Sequence, residues 1–405
     1  MINLLKSKTI KNIGFVSFSR IVSNLFGMII MILVARTLGP ESYGFLSIFF
    51  TTGFILSSIV NSLKTAFVRK NSKKMNSQMA RLCFWIELVV ALIVVFSGII
   101  ILYSISGFLV QGFHKAIFYG LIYGLTTTLS WAVLGVLEAK QSFKRLAYFT
   151  IFESLARVLI ISLLFLNQKL TITNTYLVFI IIGSVGFVVS FFLIDIKMTG
   201  KLASWKSFKP LLKFAKWMIL INIIIIFSRS IDIFIASYFS PMYEVGIYSA
   251  GKSFASKILI IVNSIIFVLF PKLSSLHKSE IKPYLKKVFR HSLLFIVIFF
   301  PGIFFSKFLI MITYGQSFLR TIPFFNVFYI TFLISIIVSI LFVINYVIDK
   351  PQITFFLALF NLVILIVAGM LCVPVFGLIS LAYIMLFNVI VNLIINGVIL
   401  IKKLS

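Results

Sequence analysis

Cysteine and the motifs of metal and nucleotide chemistry are scarce or missing in this chain of 405 residues. Its two cysteines, Cys83 and Cys372, lie inside apolar runs with no histidine, cysteine or aspartate at metal-ligand spacing. Neither a disulfide framework nor a zinc site is therefore expected. Nucleophilic triads, glycine-rich phosphate loops and nucleotide-binding motifs are also absent, so the sequence predicts no cofactor and no direct use of ATP.

Charged residues are few, at 11% of the chain, whereas 61% of the residues are hydrophobic and the mean hydropathy is +1.16. A soluble core of this size could not bury so much apolar surface, so a lipid bilayer is the expected solvent. The apolar residues form continuous runs and do not alternate with polar ones, which excludes a closed β-barrel. The sequence therefore predicts an all-α integral membrane protein.

Twelve apolar runs are long enough to cross a bilayer, because a hydrocarbon core of about 30 Å needs about 20 helical residues. They lie near residues 13–35, 43–63, 82–104, 116–137, 147–167, 174–196, 214–236, 246–270, 288–310, 322–347, 352–373 and 377–400. No cleavable signal peptide is expected, because residues 1–11 are polar and basic and lead into a run of full length.

Acids are the scarcer charge, with nine Asp and Glu against 37 Lys and Arg and a net charge of +28. Such an excess is often a sign of nucleic-acid binding, but here the cations are concentrated in alternate loops between the apolar runs. Counted from a cytoplasmic N-terminus, 27 cations fall on one side of the membrane, and the other side holds Arg36, Lys115, Lys169, Lys307 and Arg320. Because cations accumulate in cytoplasmic loops, the sequence predicts cytoplasmic N- and C-termini and no nucleic-acid partner.

A repeated turn divides the chain into two halves. Residues 35–47 (ARTLGPESYGFLS) match residues 236–249 (ASYFSPMYEVGIYS), and the matching alanines and prolines are 201 residues apart (236 − 35 and 241 − 40). This predicts two six-helix bundles with pseudo-two-fold symmetry along the membrane normal and a cavity between them. The predicted domains are a first bundle at 1–196, a basic cytoplasmic linker at 197–213 and a second bundle at 214–405. The linker contains Trp205 and Phe208, and we expect it at the headgroup surface.

The twelve spans, the first turn, Ile231 with Asp232, and residues 245–249 (VGIYS) together resemble a known family. The chain is similar to the polysaccharide-transporter branch of the multidrug, oligosaccharidyl-lipid and polysaccharide exporter superfamily, the Wzx-type O-antigen or capsule repeat-unit flippases. The resemblance implies a MATE-like fold and translocation of an undecaprenyl-diphosphate-linked oligosaccharide from the cytoplasmic to the periplasmic leaflet. It also implies the bacterial inner membrane, with membrane lipids and the polysaccharide polymerase machinery as partners.

Ionisable residues inside the spans are the candidate site, because each is unfavourable there unless it faces a cavity or a partner. The candidates for a cationic, substrate-binding cavity are Arg20, Asn24, Arg157, Arg229, Asp232, Lys252 and Lys257. The candidates for coupling transport to an ion are Glu87 and Glu153. Arg20 has no acid in its own helix, so it either faces the cavity or extends to the headgroups. The excess of cations suits an anion such as a diphosphate.

Sequence spacing predicts how several of these charges are paired. Arg229 and Asp232 are three residues apart and are expected to neutralise one another, whereas Lys252 has no acid close to it in the sequence. Glu153 and Arg157, four residues apart, are expected to form an internal ion pair. Lys252 therefore remains a stronger candidate for an anionic substrate than Arg157.

Three other functions are alternatives to a flippase. A multidrug or organic-cation exporter of the same fold needs unpaired carboxylates in its cavity. Glu87 is the candidate for such a carboxylate, because it stands alone on its helix and is expected to stay protonated. An O-antigen polymerase or ligase needs a large extracytoplasmic loop, whereas the outer loops are short, so an enzyme is not expected. A channel would need a pore signature, which the sequence lacks.

Overall fold

The computed structural model describes residues 8–71, 75–104, 112–259, 278–347 and 351–404, and within them every regular element is helical. The α-helices are α1 (Lys8–Asn71), α2 (Ser77–Ser104), α3 (Phe113–Ala139), α4 (Phe143–Leu166), α5 (Ile172–Leu193), α6 (Trp205–Phe239), α7 (Met242–Ala255), α8 (Lys278–Phe299), α9 (Ser306–Thr313), α10 (Ile322–Val347), α11 (Pro351–Phe376) and α12 (Ile379–Leu404). Short 3₁₀ segments lie at Ser256–Ile258, Phe300–Ile303 and Gln316–Thr321. The predicted all-α membrane fold is confirmed.

The described residues contain nine helices long and apolar enough to cross a membrane, or ten if the bent pair Pro283–Ile303 and Ser306–Thr313 forms one span. The first, Gly14–Ile59, has 46 residues. At about 1.5 Å per residue it is roughly 70 Å long, more than twice the thickness of a hydrocarbon core. It therefore accounts for the first two predicted spans. The eighth predicted span, 246–270, lies partly outside the described residues, so the count of twelve stays a prediction.

A glycine–proline step divides α1 into two arms. Gly39 has a φ of 75°, in the left-handed region that favours glycine, and Pro40 has no N–H to donate to the preceding turn. The chain can therefore change direction here without a loop. Gly39 and Pro40 belong to the first copy of the repeated turn. The helix therefore breaks at the position where the sequence predicts a turn.

The chain divides into two compact units. Unit 1 comprises Met1–Leu38 and Phe45–Ile226, and unit 2 comprises Gly39–Gly44 and Phe227–Ser405. Helix α6 begins at Trp205, inside the predicted linker, and unit 1 continues along it to Ile226. The predicted arrangement of six spans plus six stays a prediction.

In unit 1, helix α3 packs against α2 and α5, and it also contacts the second arm of α1 at very short range. A Cβ atom added to Gly120 would lie 2.7 Å from the carbonyl oxygen of Phe49. The ring of Phe49 stacks on those of Tyr123 and Tyr176, with centroids 5.0 and 4.6 Å apart. Glycine thus brings two backbones together, and aromatic rings fill the space around the contact.

In unit 2, helix α10 packs against α7 and α12, and the two copies of the repeated turn contact one another. A Cβ atom on Gly246 would lie 1.8 Å from the carbonyl oxygen of Pro40, and one on Gly44 would lie 2.2 Å from that of Met242. Tyr43, in the first copy, is 3% exposed and makes edge contacts with nearby aromatic rings. The matched glycines of the repeat are therefore the residues that permit this approach.

Candidate functional site

Glu153 and Arg157 form an ion pair along one face of α4 in unit 1. Their side chains are 11% and 14% exposed. The guanidinium carbon of Arg157 lies 5.1 Å from the ring centroid of Phe179 and 5.9 Å from that of Tyr123. A carboxylate and two aromatic faces thus compensate the arginine charge within an apolar span. Within the described residues its Nε is buried without a hydrogen-bond partner.

Arg20 and Asn24 lie on an exposed face of the first arm of α1. The Asn24 amide donates to the carbonyl oxygen of Arg20 at 2.8 Å. Between them, Ser23 makes a hydrogen bond of 2.9 Å with Ser154 of α4, which holds this turn of α1 against the rest of unit 1. Within the described part of the chain the Arg20 guanidinium has no ion-pair partner, so its donors are available to an anion.

Glu87 on α2 lies in a cluster of charges that joins three helices of unit 1. Its side chain is 2% exposed, its Oε1 has no hydrogen-bond partner in the part of the chain that the structure describes, and it interacts electrostatically with Lys64 of α1. Lys64 Nζ donates to Glu138 Oε1 of α3 at 3.1 Å and lies 4.9 Å from the ring centroid of Trp131. Glu87 has no ion pair among the described residues, and the charge that acts on it, Lys64, comes from another helix.

The sequence prediction missed Lys64 and Glu138 as members of this cluster. Lys64 counts as a loop cation when the second span ends near residue 63, whereas α1 continues to Asn71 and keeps Lys64 helical. Glu138 lies at the end of α3, at the same predicted side of the membrane. The signal that could have found the cluster is the presence of opposite charges at helix ends that the topology places on one side.

Asp232 on α6 in unit 2 is fully buried and pairs with Lys252 on α7. Lys252 Nζ lies 2.8 and 2.7 Å from Oδ1 and Oδ2 of Asp232 and 2.7 Å from the carbonyl oxygen of Arg229. The hydroxyl of Tyr248, also buried, donates to the same carboxylate. The prediction that Arg229 neutralises Asp232 is therefore wrong, and Lys252, which has no acid close to it in the sequence, pairs with an acid of the preceding helix. The short turn after α6 brings α7 back alongside it, which sequence spacing does not reveal.

The donors of Lys252 are already occupied in this arrangement. An ammonium group has three N–H bonds, and three acceptor oxygens surround it here. Arg229, in contrast, is exposed and has no ion pair in the described ranges. Lys257 is half-buried in the 3₁₀ segment Ser256–Ile258 that follows α7. Of the three predicted site cations in unit 2, Arg229 and Lys257 have no ion-pair partner among the described residues, whereas Lys252 joins two helices.

A cavity of about 300 Å³ in unit 1 lies where α2 ends and α3 and α5 begin. Its polar and aromatic lining includes Tyr103, His114, Lys115 and Tyr119, and it contains none of the predicted site residues. Among the described residues, no group of three or more His, Cys, Asp or Glu side chains could hold a metal ion. The charged side chains inside the helices thus remain the candidate site.

Comparisons with known proteins agree with this arrangement of helices. A family described as "Polysaccharide biosynthesis protein" matches residues 9–277. No curated protein sequence matches the chain. A structure of the lipid II flippase MurJ in an inward closed conformation has a TM-score of 0.80 at 14% identity, over 96% of this chain and 88% of that one.

Two further solved structures have the same fold. An inward-facing multidrug resistance MATE family transporter of the MOP superfamily has a TM-score of 0.73 at 14% identity, over 95% of this chain and 94% of that one. A MOP superfamily transporter from Pyrococcus furiosus, whose binding pocket is described as having reverse polarity, has a TM-score of 0.68 at 13% identity, over 100% and 98%. At these identities the likeness is one of fold.

Proposed function

We propose a function from one premise: the chain belongs to the polysaccharide biosynthesis protein family, which matches residues 9–277. It is a multi-pass membrane protein and a flippase or transporter of the multidrug, oligosaccharidyl-lipid and polysaccharide exporter superfamily. Within that class we infer that it moves undecaprenyl-diphosphate-linked repeat units of O-antigen or capsule from the cytoplasmic to the periplasmic leaflet of the inner membrane. The family match is the observation that carries this proposal.

The free charges inside the apolar helices support an anionic substrate. Arg20 on α1 and Arg229 on α6 are exposed, and Lys257 is half-buried. Arginine presents a planar fork of donors that fits two phosphate oxygens at once, and it stays charged in an apolar environment. We propose that each unit contacts the diphosphate or its first sugar during transport, unit 1 through Arg20 and Asn24 and unit 2 through Arg229 and Lys257.

The test is lipid analysis of cells that lack the protein. We expect undecaprenyl-diphosphate-linked oligosaccharide to accumulate facing the cytoplasm, and wild-type protein to clear it. Arg20→Ala and Arg229→Ala should leave most of it in place, whereas the matched control Arg290→Ala, at an exposed arginine of α8, should clear it as wild type does. A cell that lacks the protein and accumulates no such lipid would contradict the flippase proposal.

A multidrug exporter is the second candidate, because Glu87 is a buried carboxyl with an unpartnered oxygen and the fold is also that of multidrug transporters. In this function Glu87 exchanges a proton for an organic cation, with Glu153 as a second acid. The expected result is that cells lacking the protein become sensitive to lipophilic cations and that Glu87→Gln fails to restore resistance. Unchanged sensitivity, combined with accumulated lipid-linked oligosaccharide, would exclude it.

A further inference from the structure

Residues 197–209, here called the basic strip, are hydrogen-bonded to the rest of unit 1 over residues 197–203. These hydrogen bonds join the strip to the first turns of α2. They run from Arg81 to the carbonyl oxygens of Lys197 and Lys201 (2.8 and 3.2 Å), from the Trp85 indole to that of Met198 (3.3 Å), and from the Ala203 amide to that of Gln78 (3.2 Å). The strip therefore has a fixed conformation on unit 1 and is not a loose linker.

The basic strip is amphipathic. Its apolar side chains Met198, Ala203 and Phe208 are at most 9% exposed and belong to the hydrophobic core beneath the strip. Its lysines all point away from that core and are exposed, namely Lys197, Lys201, Lys206 and Lys209. The buried side fixes the strip to the helices, and the opposite side presents four positive charges.

The acid near these lysines does not neutralise them. Asp195 precedes the strip and is bound by Arg145, at 3.1 Å, and by Lys140, at 3.4 Å. Hydrogen bonding from Arg145 holds the pKa of the Asp195 carboxyl below its usual value, so this acid is ionised and already paired. Within the described residues the four strip lysines have no ion-pair partner. Their charge is available to an external anion.

Large apolar side chains accompany the exposed lysines. Trp205 is 62% exposed and Leu202 is 47% exposed. The strip also lies where α2 and α4 begin and α3 and α5 end, the ends that the distribution of cations assigns to the cytoplasm. Tryptophan, leucine and lysine exposed together at helix ends are typical of the boundary between hydrocarbon and headgroups.

We propose that the basic strip binds the headgroups of anionic phospholipids in the cytoplasmic leaflet. Four separate ammonium groups suit several single negative charges spread over a headgroup layer, whereas a diphosphate is best held by the fork of an arginine. Arg81, the arginine at the strip, already donates to two backbone carbonyls. The proposal concerns a surface of unit 1 and does not depend on which substrate the protein transports.

The experiment counts lipids bound to the purified full-length protein by native mass spectrometry, with phosphatidylglycerol or phosphatidylcholine added. Wild-type protein should retain phosphatidylglycerol preferentially, and high salt should weaken the preference. The double variants Lys197→Gln with Lys201→Gln and Lys206→Gln with Lys209→Gln should each lower it by roughly fivefold or more. The matched control, Lys115→Gln with Lys169→Gln, removes two exposed lysines at the opposite helix ends and should keep it.

Three results would overturn the proposal. Equal retention of phosphatidylglycerol by all variants would show that the strip lysines do not bind it. An equal loss in the Lys115 and Lys169 control would show that net charge alone sets the preference. Displacement of phosphatidylglycerol from wild-type protein by undecaprenyl diphosphate, at a site that the strip variants lack, would assign the strip to the transported lipid. In each case the lipid analysis that tests the flippase remains independent.

Discussion

The two units neutralise the charged side chains inside their apolar helices in different ways. In unit 1, Glu153 and Arg157 are four residues apart on one helix, are 11% and 14% exposed, and face aromatic rings. In unit 2, Asp232 and Lys252 come from two helices, the carboxylate is fully buried, and a tyrosine completes its shell. Both charges of the first pair belong to one helix, and Arg157 contacts α3 and α5 through the ring faces of Tyr123 and Phe179, whereas the second pair joins α6 directly to α7 by charge. The two pairs should therefore differ in how much they stabilise their units.

The largest expected effect is that of Lys252→Met. Removal of the lysine leaves Asp232 buried without a counter-ion, and breaking a buried pair from one side destabilises by about 3–5 kcal/mol. We expect a clearly lower temperature of unfolding for the protein in detergent. The double variant Lys252→Met with Asp232→Asn removes both charges and should recover most of the loss. A single variant as stable as wild type would contradict the role of Lys252 as a tie between helices.

Arg157→Met should have a smaller effect, because Glu153 is less buried than Asp232 and both charges of the pair belong to one helix, which Arg157 joins to α3 and α5 through ring contacts. Loss of a hydrogen bond to a charged group is worth about 2 kcal/mol. The temperature of unfolding should fall by less than in Lys252→Met, and Arg157→Lys should retain part of the stability. If Arg157→Met proved as damaging as Lys252→Met, the contrast between a pair within one helix and a pair between helices would be lost.

The same contrast explains what the sequence could predict about the fold and the site. The apolar runs, the turn at Gly39 and Pro40, and the pair of Glu153 with Arg157 depend on residues close together in the chain. Their physical causes are helix length, backbone chemistry and the helical repeat, all of which can be counted.

The other pairings depend on the rotation of each helix about its axis and on where its neighbour lies. Asp232 and Lys252 are 20 residues apart on separate helices, so their contact cannot be derived from the spacing on either one. Lys64 was assigned to a loop because apolar runs show where hydrocarbon ends and not where the helix ends, and α1 continues to Asn71. For the exposed Arg20 and Arg229, the sequence cannot show that an ion-pair partner is missing, because that depends on where the neighbouring helices lie.

The smallest effect is expected where the charges are exposed, at Asp195. Its side chain is 62% exposed and is bound by Arg145 and Lys140 at the ends of other helices of unit 1. The pKa of Asp195 is lowered in the folded protein, first by the hydrogen bond from Arg145. A lowered folded pKa means that the contribution is present above the unfolded value of about 3.9 and disappears as the pH falls through the folded value.

Asp195→Asn should therefore lower the temperature of unfolding slightly at pH 7, and the difference from wild type should shrink as the pH falls below about 4. Added salt should also reduce it, because exposed charges are screened. The control is Asp232→Asn with Lys252→Met, whose buried groups are screened much less. A difference at Asp195 that grew on acidification would contradict this prediction. So would a difference that stayed roughly as large in 1 M salt, because the exposed pairs of Asp195 would then behave like the buried pair of Asp232 and Lys252.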